Sequence, residues 1–380
     1  MKILYLTNES YYNSPIIDSQ VISLLDEICK KDNNVNVTVI TFDQEAKEIY
    51  FNKNFKLKLI KNRGHVLNLI FSIFYPLFAK KMDIIHVRSY PSMFGAIVTK
   101  LIKGTKIIFD PRGLYADELK YKKKDTFYRV FKFSEKLFCK LSDAIIVVSK
   151  PFEKYFITKY SISKTKVNII STFPQANNTK DNIDSYNIKK QYFNSENVKI
   201  FVYSGSFEKW QLVDKVFDFF ALVEKLIPNS RFAIFSKDVN EFENLINNRR
   251  LNRNNFFVKS LSKTEMLYYL SQCDYGILFR DDDIINLVSA PIKFKEYLNS
   301  GLTMIMTNSI GDSSEFISIN NIGYTIENTE KEDFLAVIEK IKQKGVVDKL
   351  IIKTISANNF NINISTNETY KIYKKLMDEY

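Results

Sequence analysis

Histidine and cysteine are scarce in this chain, and their scarcity removes whole classes of chemistry. Among 380 residues there are two histidines and three cysteines. Cys29, Cys139 and Cys273 are isolated from one another and odd in number, so they offer neither metal-ligand spacing nor a disulfide framework. No zinc site is expected, and a reducing, cytoplasmic compartment is. No Gly-x-Ser-x-Gly elbow, P-loop lysine motif or His-Glu-x-x-His occurs. The first strand runs into "TNESYYNSP" rather than Gly-x-Gly-x-x-Gly, which argues against a nicotinamide or flavin site. Long apolar runs are missing too. The most apolar stretch, Val66 to Ala79, has fourteen residues and is interrupted by Asn68 and Pro76, too short to span a bilayer. It reads as a buried or half-buried helix, with membrane-surface contact as the alternative. The start, "MKILYLTN", enters a strand directly, without the pattern of a signal peptide.

What is present is a globular composition, 45% hydrophobic and 26% charged, in a chain long enough for two domains. The formal net charge is +12, and most of the excess lies early. Residues 1–150 carry 25 Lys and Arg against 15 Asp and Glu. Such a surplus suits an anionic membrane surface, nucleic acid or phosphorylated ligands. Its densest part, Lys120 to Lys140, places Phe127, Phe131, Ser134 or Glu135, and Phe138 at helical spacing with cations opposite. That is a basic amphipathic helix, either docking on a membrane or simply solvated.

Short β-branched runs alternate with helical patterns: "KILYLT", "VNVTVITF", "DIIHV", "KIIFD", "DAIIVVS" and "VNIIS". Continuous apolar strands with intervening helices predict a parallel sheet covered on both faces. The pattern stops at Thr172 to Asn197, which is rich in Asn, Asp and Ser, and resumes with "KIFVYSG", "RFAIFS", "NFFVKS", "YGILF" and "LTMIMTN". The expectation is α/β: two doubly wound, Rossmann-like domains facing each other across a cleft. The first spans 1–175, a linker 176–197 and the second 198–365. A closing helix at 366–380 would pack back toward the first. Ligands of such sheets sit beyond the carboxyl ends of the strands.

The candidate residues all follow strands. Gly205 and Ser206 in "VYSGSFEKW" let backbone and hydroxyl approach an oxyanion, and Lys209 adds a full charge. In "FRDDDIINLVSAPIKFKEYLNSG", Arg280 ends a strand and Ser289 or Ala290 would cap a helix that Pro291 starts. Lys293 and Glu296 then share a face three residues apart. A cation in the first helical turn opposes the helix dipole, so Lys293 is unfavourable unless it meets an anion; a surface ion pair with Glu296 is the plainer alternative. In the first half, "IIFDPRG" sets Asp110, Arg112 and Gly113 in a turn, where the guanidinium fork suits phosphate or carboxylate. A turn-stabilising Asp–Arg pair would look the same. His86 and the Asn8–Glu9 segment end strands on the same side; His86 could serve as an acid–base group or as a hydrogen-bonded structural residue.

Taken together, "YSGSFEKW", "LSQCDYGILFR" and "SAPIKFKEYLNSGLTMIMT" resemble the retaining nucleotide-sugar glycosyltransferases of the GT-B fold, glycosyltransferase family 4 (group 1). "DIIHVRS", "IIFDPRG" and "LSDAIIVVSKPFEKYF" agree more loosely. The resemblance implies that Ser206 and Lys209 bind the donor diphosphate. Lys293 or Arg280 would stabilise the departing nucleotide, and Glu296 would accept from the ribose hydroxyls. Backbone from Val258 to Leu261 would hold the base. Asn8, Glu9, His86 and Asp110 to Gly113 would face acceptor and donor sugar. The family's first glutamate is missing, for Val288 stands at its spacing before Glu296. The implied activity is hexosyl transfer to a saccharide or polyprenyl-diphosphate-linked acceptor, in capsule, lipopolysaccharide or similar synthesis. No cofactor or metal is expected, no nucleic-acid partner, and a cytoplasmic site with peripheral membrane contact. A nucleotide-sugar epimerase or hydrolase of the same fold is the alternative.

Overall fold

The computed structural model describes residues 1–12, 16–174 and 187–378. The chain divides into two compact units: Met1–Phe173 together with the segment from Asn361 on, and Pro174–Phe360. Residues 176–186 of the expected linker lie outside the described residues. Its remainder forms a short helix, Ile188–Gln191, and Ile188 and Phe193 are buried in the second unit's core.

The first unit is built on strands β1 (Lys2–Ser10), β2 (Asn36–Asp43), β3 (Lys47–Asn52), β4 (Phe55–Lys61), β5 (Ile84–Arg88), β6 (Lys106–Phe109), β7 (Ala144–Val147) and β8 (Val167–Ile169). They lie in the order β3-β4-β2-β1-β5-β6-β7-β8. All pairings are parallel except β3 with β4, a hairpin at the sheet edge. The inner strands β5 and β7 are buried at every position, as expected when helices cover both faces.

The last helix runs from Ile362 to Asp378, starting ahead of the expected boundary at 366. It packs on the Ser23–Lys31 helix, and Ile372, Tyr373 and Leu376 enter the first unit's core beside Ile3, Tyr5 and Leu25. Tyr370 donates to Asp32 at 2.7 Å.

The second unit holds β9 (Lys199–Ser204), β10 (Ser230–Phe235), β11 (Phe256–Lys259), β12 (Tyr275–Leu278), β13 (Thr303–Thr307) and β14 (Gly323–Ile326). Their order is β11-β10-β9-β12-β13-β14, all parallel. Aromatic residues fill its core, with Phe217, Phe220, Phe232 and Phe256 in mutual contact.

Each sheet has a point where the winding reverses. In the first it lies between β1 and β5, in the second between β9 and β12. Loops diverge there and leave a crevice at the carboxyl ends, which is where doubly wound sheets bind ligands.

Three helical expectations need correcting. Pro291 is not the first helical residue but the cap itself, at φ −62° and ψ 130°, and the helix Ile292–Ser300 begins with no side-chain cap. The Asp125–Leu141 helix does bury Phe131, Ser134, Glu135 and Phe138, but Phe127 is exposed. Its outer face carries Val130, Phe133 and Leu137 among the cations. The Val66 to Ala79 stretch is the helix His65–Phe78, and Val66, Leu67, Ile70, Phe74 and Phe78 are all exposed.

Candidate active site

At the reversal point of the second sheet, β9 ends in Ser204 and passes into Gly205 and Ser206. Tyr297, inside the Ile292–Ser300 helix, reaches across and accepts the Ser204 backbone N–H at 2.7 Å. The helix can approach so closely because β12 carries Gly276, where a Cβ would lie 2.7 Å from the Tyr297 ring. This packing brings the helix start against the β9 turn.

Lys293 then points its Nζ at Gly205. A Cβ on Gly205 would sit 2.2 Å from that Nζ, 2.5 Å from Gln211 Oε1 and 2.9 Å from the Tyr203 hydroxyl. Lys293 donates to Gln211 Oε1 at 2.8 Å, Tyr203 donates to the same oxygen at 2.9 Å, and Gln211 Nε2 donates to Ser206 Oγ at 2.6 Å. Gln211 is turned inward by Leu212, whose φ of 46° is left-handed and therefore strained for a branched side chain.

The electrostatics are one-sided. Burial pushes the Lys293 ammonium down to about 7, Arg280 and Lys263 push the same way, and Glu296 opposes them. Arg280, just past the end of β12, is itself lowered, first by burial. Glu296 does not pair with Lys293. It is buried and forms its ion pair with Lys263 of the Lys263–Gln272 helix. The result is a desolvated place with two cations, a hydroxyl, an amide and the open start of a helix, and no carboxylate bonded to Lys293 among the described residues. That arrangement is built to receive an anion. Beside it, a cavity of about 280 Å³ is lined by Ser204, Gly205, Ser206, Lys237, Asp238 and Leu261.

In the first unit, the reversal point places Asn8 and Glu9 after the inner part of β1, Arg88 and Ser89 at the end of β5, and Arg112 and Gly113 beyond β6. These line a cavity of about 330 Å³. Beneath it, Asp110 is fully buried and takes Arg112 Nε at 2.7 Å and His86 Nε2 at 3.2 Å. His86 Nδ1 meets the Tyr373 hydroxyl at 2.8 Å. Burial lowers the His86 pKa, while the neighbouring cations and His86 hold Asp110 down at about 2 against its own desolvation. Arg112 adopts φ 57°, so the turn bends its guanidinium back onto Asp110.

The matches with known families follow this division. Residues 20–173 match the model of Glycosyltransferase Family 4, and residues 184–355 match Glycosyl transferases group 1. The chain is a group 1 glycosyltransferase of the GT-B fold. No curated protein matches it at the level of sequence. Solved structures match over its whole length. Sucrose-phosphate synthase from Thermosynechococcus elongatus superposes with a TM-score of 0.72 at 12% identity, covering 100% of both chains. WaaG, a glycosyltransferase involved in lipopolysaccharide biosynthesis, gives 0.68 at 14% identity, covering 97% of this chain and 99% of its own. Anabaena Alr3699/HepE in complex with UDP and glucose gives 0.70 at 14%, covering 98% and 99%. At such identities the likeness is one of fold.

Within this glycosyltransferase the structure gathers Gly205, Ser206, Arg280, Lys293 and Glu296 at one end of the second sheet, with Leu261 on the adjoining cavity. Lys209 is exposed in a 3₁₀ turn, Lys209–Gln211, with no hydrogen bond or ion pair to the cluster. Val258 lines a different cavity, with Tyr192, Arg253 and Lys259. Ser289 spends its hydroxyl on the Asn286 carbonyl at 2.8 Å. Val288, in the place of the missing glutamate, is fully buried. His86 is likewise sealed in the sheet, away from the cavity that Asn8, Glu9, Arg112 and Gly113 line. Among the described residues, no three His, Cys, Asp or Glu side chains converge as a metal site.

Sequence reasoning missed Gln211, Tyr203, Lys263 and Arg88. Gln211 and Lys263 acquire their place in the site through Lys293 and Glu296, far along the chain. Arg88 had one usable signal: a charge that ends an otherwise apolar inner strand.

Proposed function

We propose that this glycosyltransferase moves a hexose from a nucleoside-diphosphate sugar to a saccharide or lipid-linked saccharide acceptor in surface-polysaccharide synthesis, without a metal and with retention of anomeric configuration. The observation that carries the reading is Lys293 Nζ set against Gly205, with the positive charge of Arg280 acting on it and no carboxylate bonded to the lysine among the described residues. Breaking a sugar–diphosphate bond leaves negative charge on the departing nucleotide, and fixed cations in a dehydrated place stabilise that charge most. Arg280 and Lys293 take this role, and Lys209 would join them if its turn moved in. Gly205, Ser206 and the helix start receive the diphosphate oxygens. Glu296, held by Lys263, presents its remaining oxygen to the ribose, and the Leu261 side of the cavity receives the base. Asn8, Glu9, Arg112 and Gly113 serve the acceptor and donor sugar.

The HepE structures, with UDP and with UDP-glucose, make a uridine donor the first to test. WaaG and the galactosyltransferase WaaB, both of lipopolysaccharide, support a surface glycan. No helix among the described residues is long and apolar enough to cross a membrane. Peripheral contact is supported by the exposed Phe78, Leu101 and Phe133 on three helices of the first unit that pack in succession, amid the basic Lys120 to Lys140 segment. Titration of the purified chain with UDP in the presence of a chelator tests the core of this reading. Micromolar binding that Lys293→Ala weakens supports it, and undiminished binding by that variant refutes the site assignment.

A further inference from the structure

The cavity of the first unit contains a cation whose hydrogen bonding is incomplete. The Arg88 side chain is 5% exposed, yet its Nε and Nη1 have no hydrogen-bond partner. Tyr5 shares one hydrogen bond with the guanidinium, and Glu9 Oε1 stands 3.5 Å from Nε. That separation makes an ion pair but not a hydrogen bond. Asp110, a buried carboxylate whose charge also acts on Arg88, takes Arg112 and His86 on Oδ2, and its Oδ1 has no hydrogen bond either. Buried donors left unmade are costly and uncommon in native structures, where water, an ion or a functional role accounts for them. Arg112 lies on the same cavity wall, 18% exposed at its side chain. Two guanidiniums therefore border one cavity of about 330 Å³, which is room for a single sugar-sized group. Asn8 and Ser89 add neutral hydrogen-bonding groups to its wall, and Glu118 joins Glu9 there as a second carboxylate.

We propose that the acceptor carries an oxyanion, a phosphoryl or carboxylate group, which docks in this cavity against Arg88 and Arg112 and displaces the Glu9 carboxylate from Arg88. The inference rests on the reading that this unit receives the acceptor, and it names that acceptor's chemical class. Arginine suits the task better than lysine because its planar fork meets phosphate and carboxylate oxygens at fixed geometry. Neutral saccharides offer Nε and Nη1 only uncharged hydroxyl acceptors, without the added strength of a bond to an oxyanion, and so bind worse.

The full-length chain is titrated, with UDP present, against glucose 6-phosphate, inorganic phosphate, glucuronate and glucose. The expected result is binding of the phosphates or of glucuronate at least tenfold tighter than glucose, weakened tenfold or more in Arg88→Lys and in Arg112→Gln. UDP affinity stays unchanged in both variants. Phosphate binding without glucuronate binding assigns a phosphoryl group, and the reverse assigns a carboxylate. Equal or absent binding of charged and neutral probes overturns the proposal, as does an Arg88→Lys variant that binds anions like the parent. Melting curves of the variants separate loss of the site from loss of the fold. If UDP binds and no anion does, only this inference fails; if anions bind and UDP does not, the donor assignment fails instead.

Discussion

Lys293 holds its Nζ 2.8 Å from Gln211 Oε1, an uncharged acceptor, in a place where Arg280 adds a second positive charge. A lysine so placed sits at about 7, against an ordinary value of 10.5. Bound diphosphate restores the charged form, because an opposite charge favours it. Nucleotide binding above pH 7 must therefore take up a proton. The affinity for UDP should be flat below about pH 7 and fall above it, by up to tenfold per pH unit. Calorimetry in buffers of different ionisation heat reads the proton directly. Proton uptake at pH 8 that persists in Lys293→Gln would assign it elsewhere.

Gly205 leaves the space that Lys293 and Gln211 occupy. Gly205→Ala puts a methyl 2.2 Å from Nζ and 2.5 Å from Oε1, both of them ends of flexible side chains. The fold can absorb that change, whereas the aligned donors cannot. The variant should melt within a few degrees of the parent and bind UDP about 10- to 100-fold more weakly, consistent with a lost charge-assisted hydrogen bond of about 1.5–3 kcal/mol. A melting curve and one titration decide it. Unchanged affinity would show that Lys293 needs no fixed position.

Much of the fold was legible because inner strands of a parallel sheet are continuously apolar, and β1, β5, β6, β9, β10 and β13 read that way. The hairpin of β3 and β4 was not, since β3, "KEIYFN", is a largely exposed edge strand with no continuous apolar run and no apolar–polar alternation. The short β14, "GYTI", carries too little pattern to separate from a loop. Lys293 was legible because a cation in the first turn of a helix breaks a local rule. The plainer alternative, an ion pair with Glu296, does not form, for Glu296 pairs with Lys263 from 33 residues away. The exposed Phe127 and Phe78 were misjudged because periodicity counts apolar residues without saying which face finds a partner.

Tyr373 ties the last helix to the first sheet through His86 at 2.8 Å. Tyr373→Phe removes the hydroxyl and leaves a buried imidazole nitrogen unpaired, at a cost of about 1–3 kcal/mol. Urea unfolding should shift its midpoint accordingly with an unchanged slope. Truncation at Phe360 removes Ile372, Tyr373 and Leu376 from the core and should leave the first unit unfolded. A folded, cooperative truncated chain would contradict the place given to this helix.

If the apolar faces of the helices Tyr90–Lys103 and Asp125–Leu141 meet a membrane, binding should require both apolar contact and lipid charge. Leu101 and Phe133 are 77% and 81% exposed. The double variant Leu101→Ser, Phe133→Ser should lose most co-sedimentation with vesicles containing anionic lipid, while neutral vesicles bind the parent only weakly and high salt releases it from the anionic ones. Parent and variant sedimenting alike would place the contact elsewhere.

Lys295 supplies a test of stability rather than function. It is 3% exposed, with its ammonium 5.3 Å from the centre of the Phe294 ring and 5.1 Å from that of Phe360. Burial pushes it down to about 7, with Asp312 opposing. A folded-state value below the unfolded one means that the unfolded chain binds the extra proton between about pH 7 and 10.5. This residue therefore destabilises the fold at and below neutrality, and the penalty shrinks as pH rises through that window. Lys295→Met keeps the volume and removes the charge, so it should stabilise the protein by about 1–4 kcal/mol at pH 6.5, a range seen when buried charges give way to apolar residues. By pH 10 the difference between parent and variant should have nearly closed. Unfolding midpoints of the two chains across that range measure it, and a gap that stays constant with pH would mean that Lys295 is charged in the folded protein throughout.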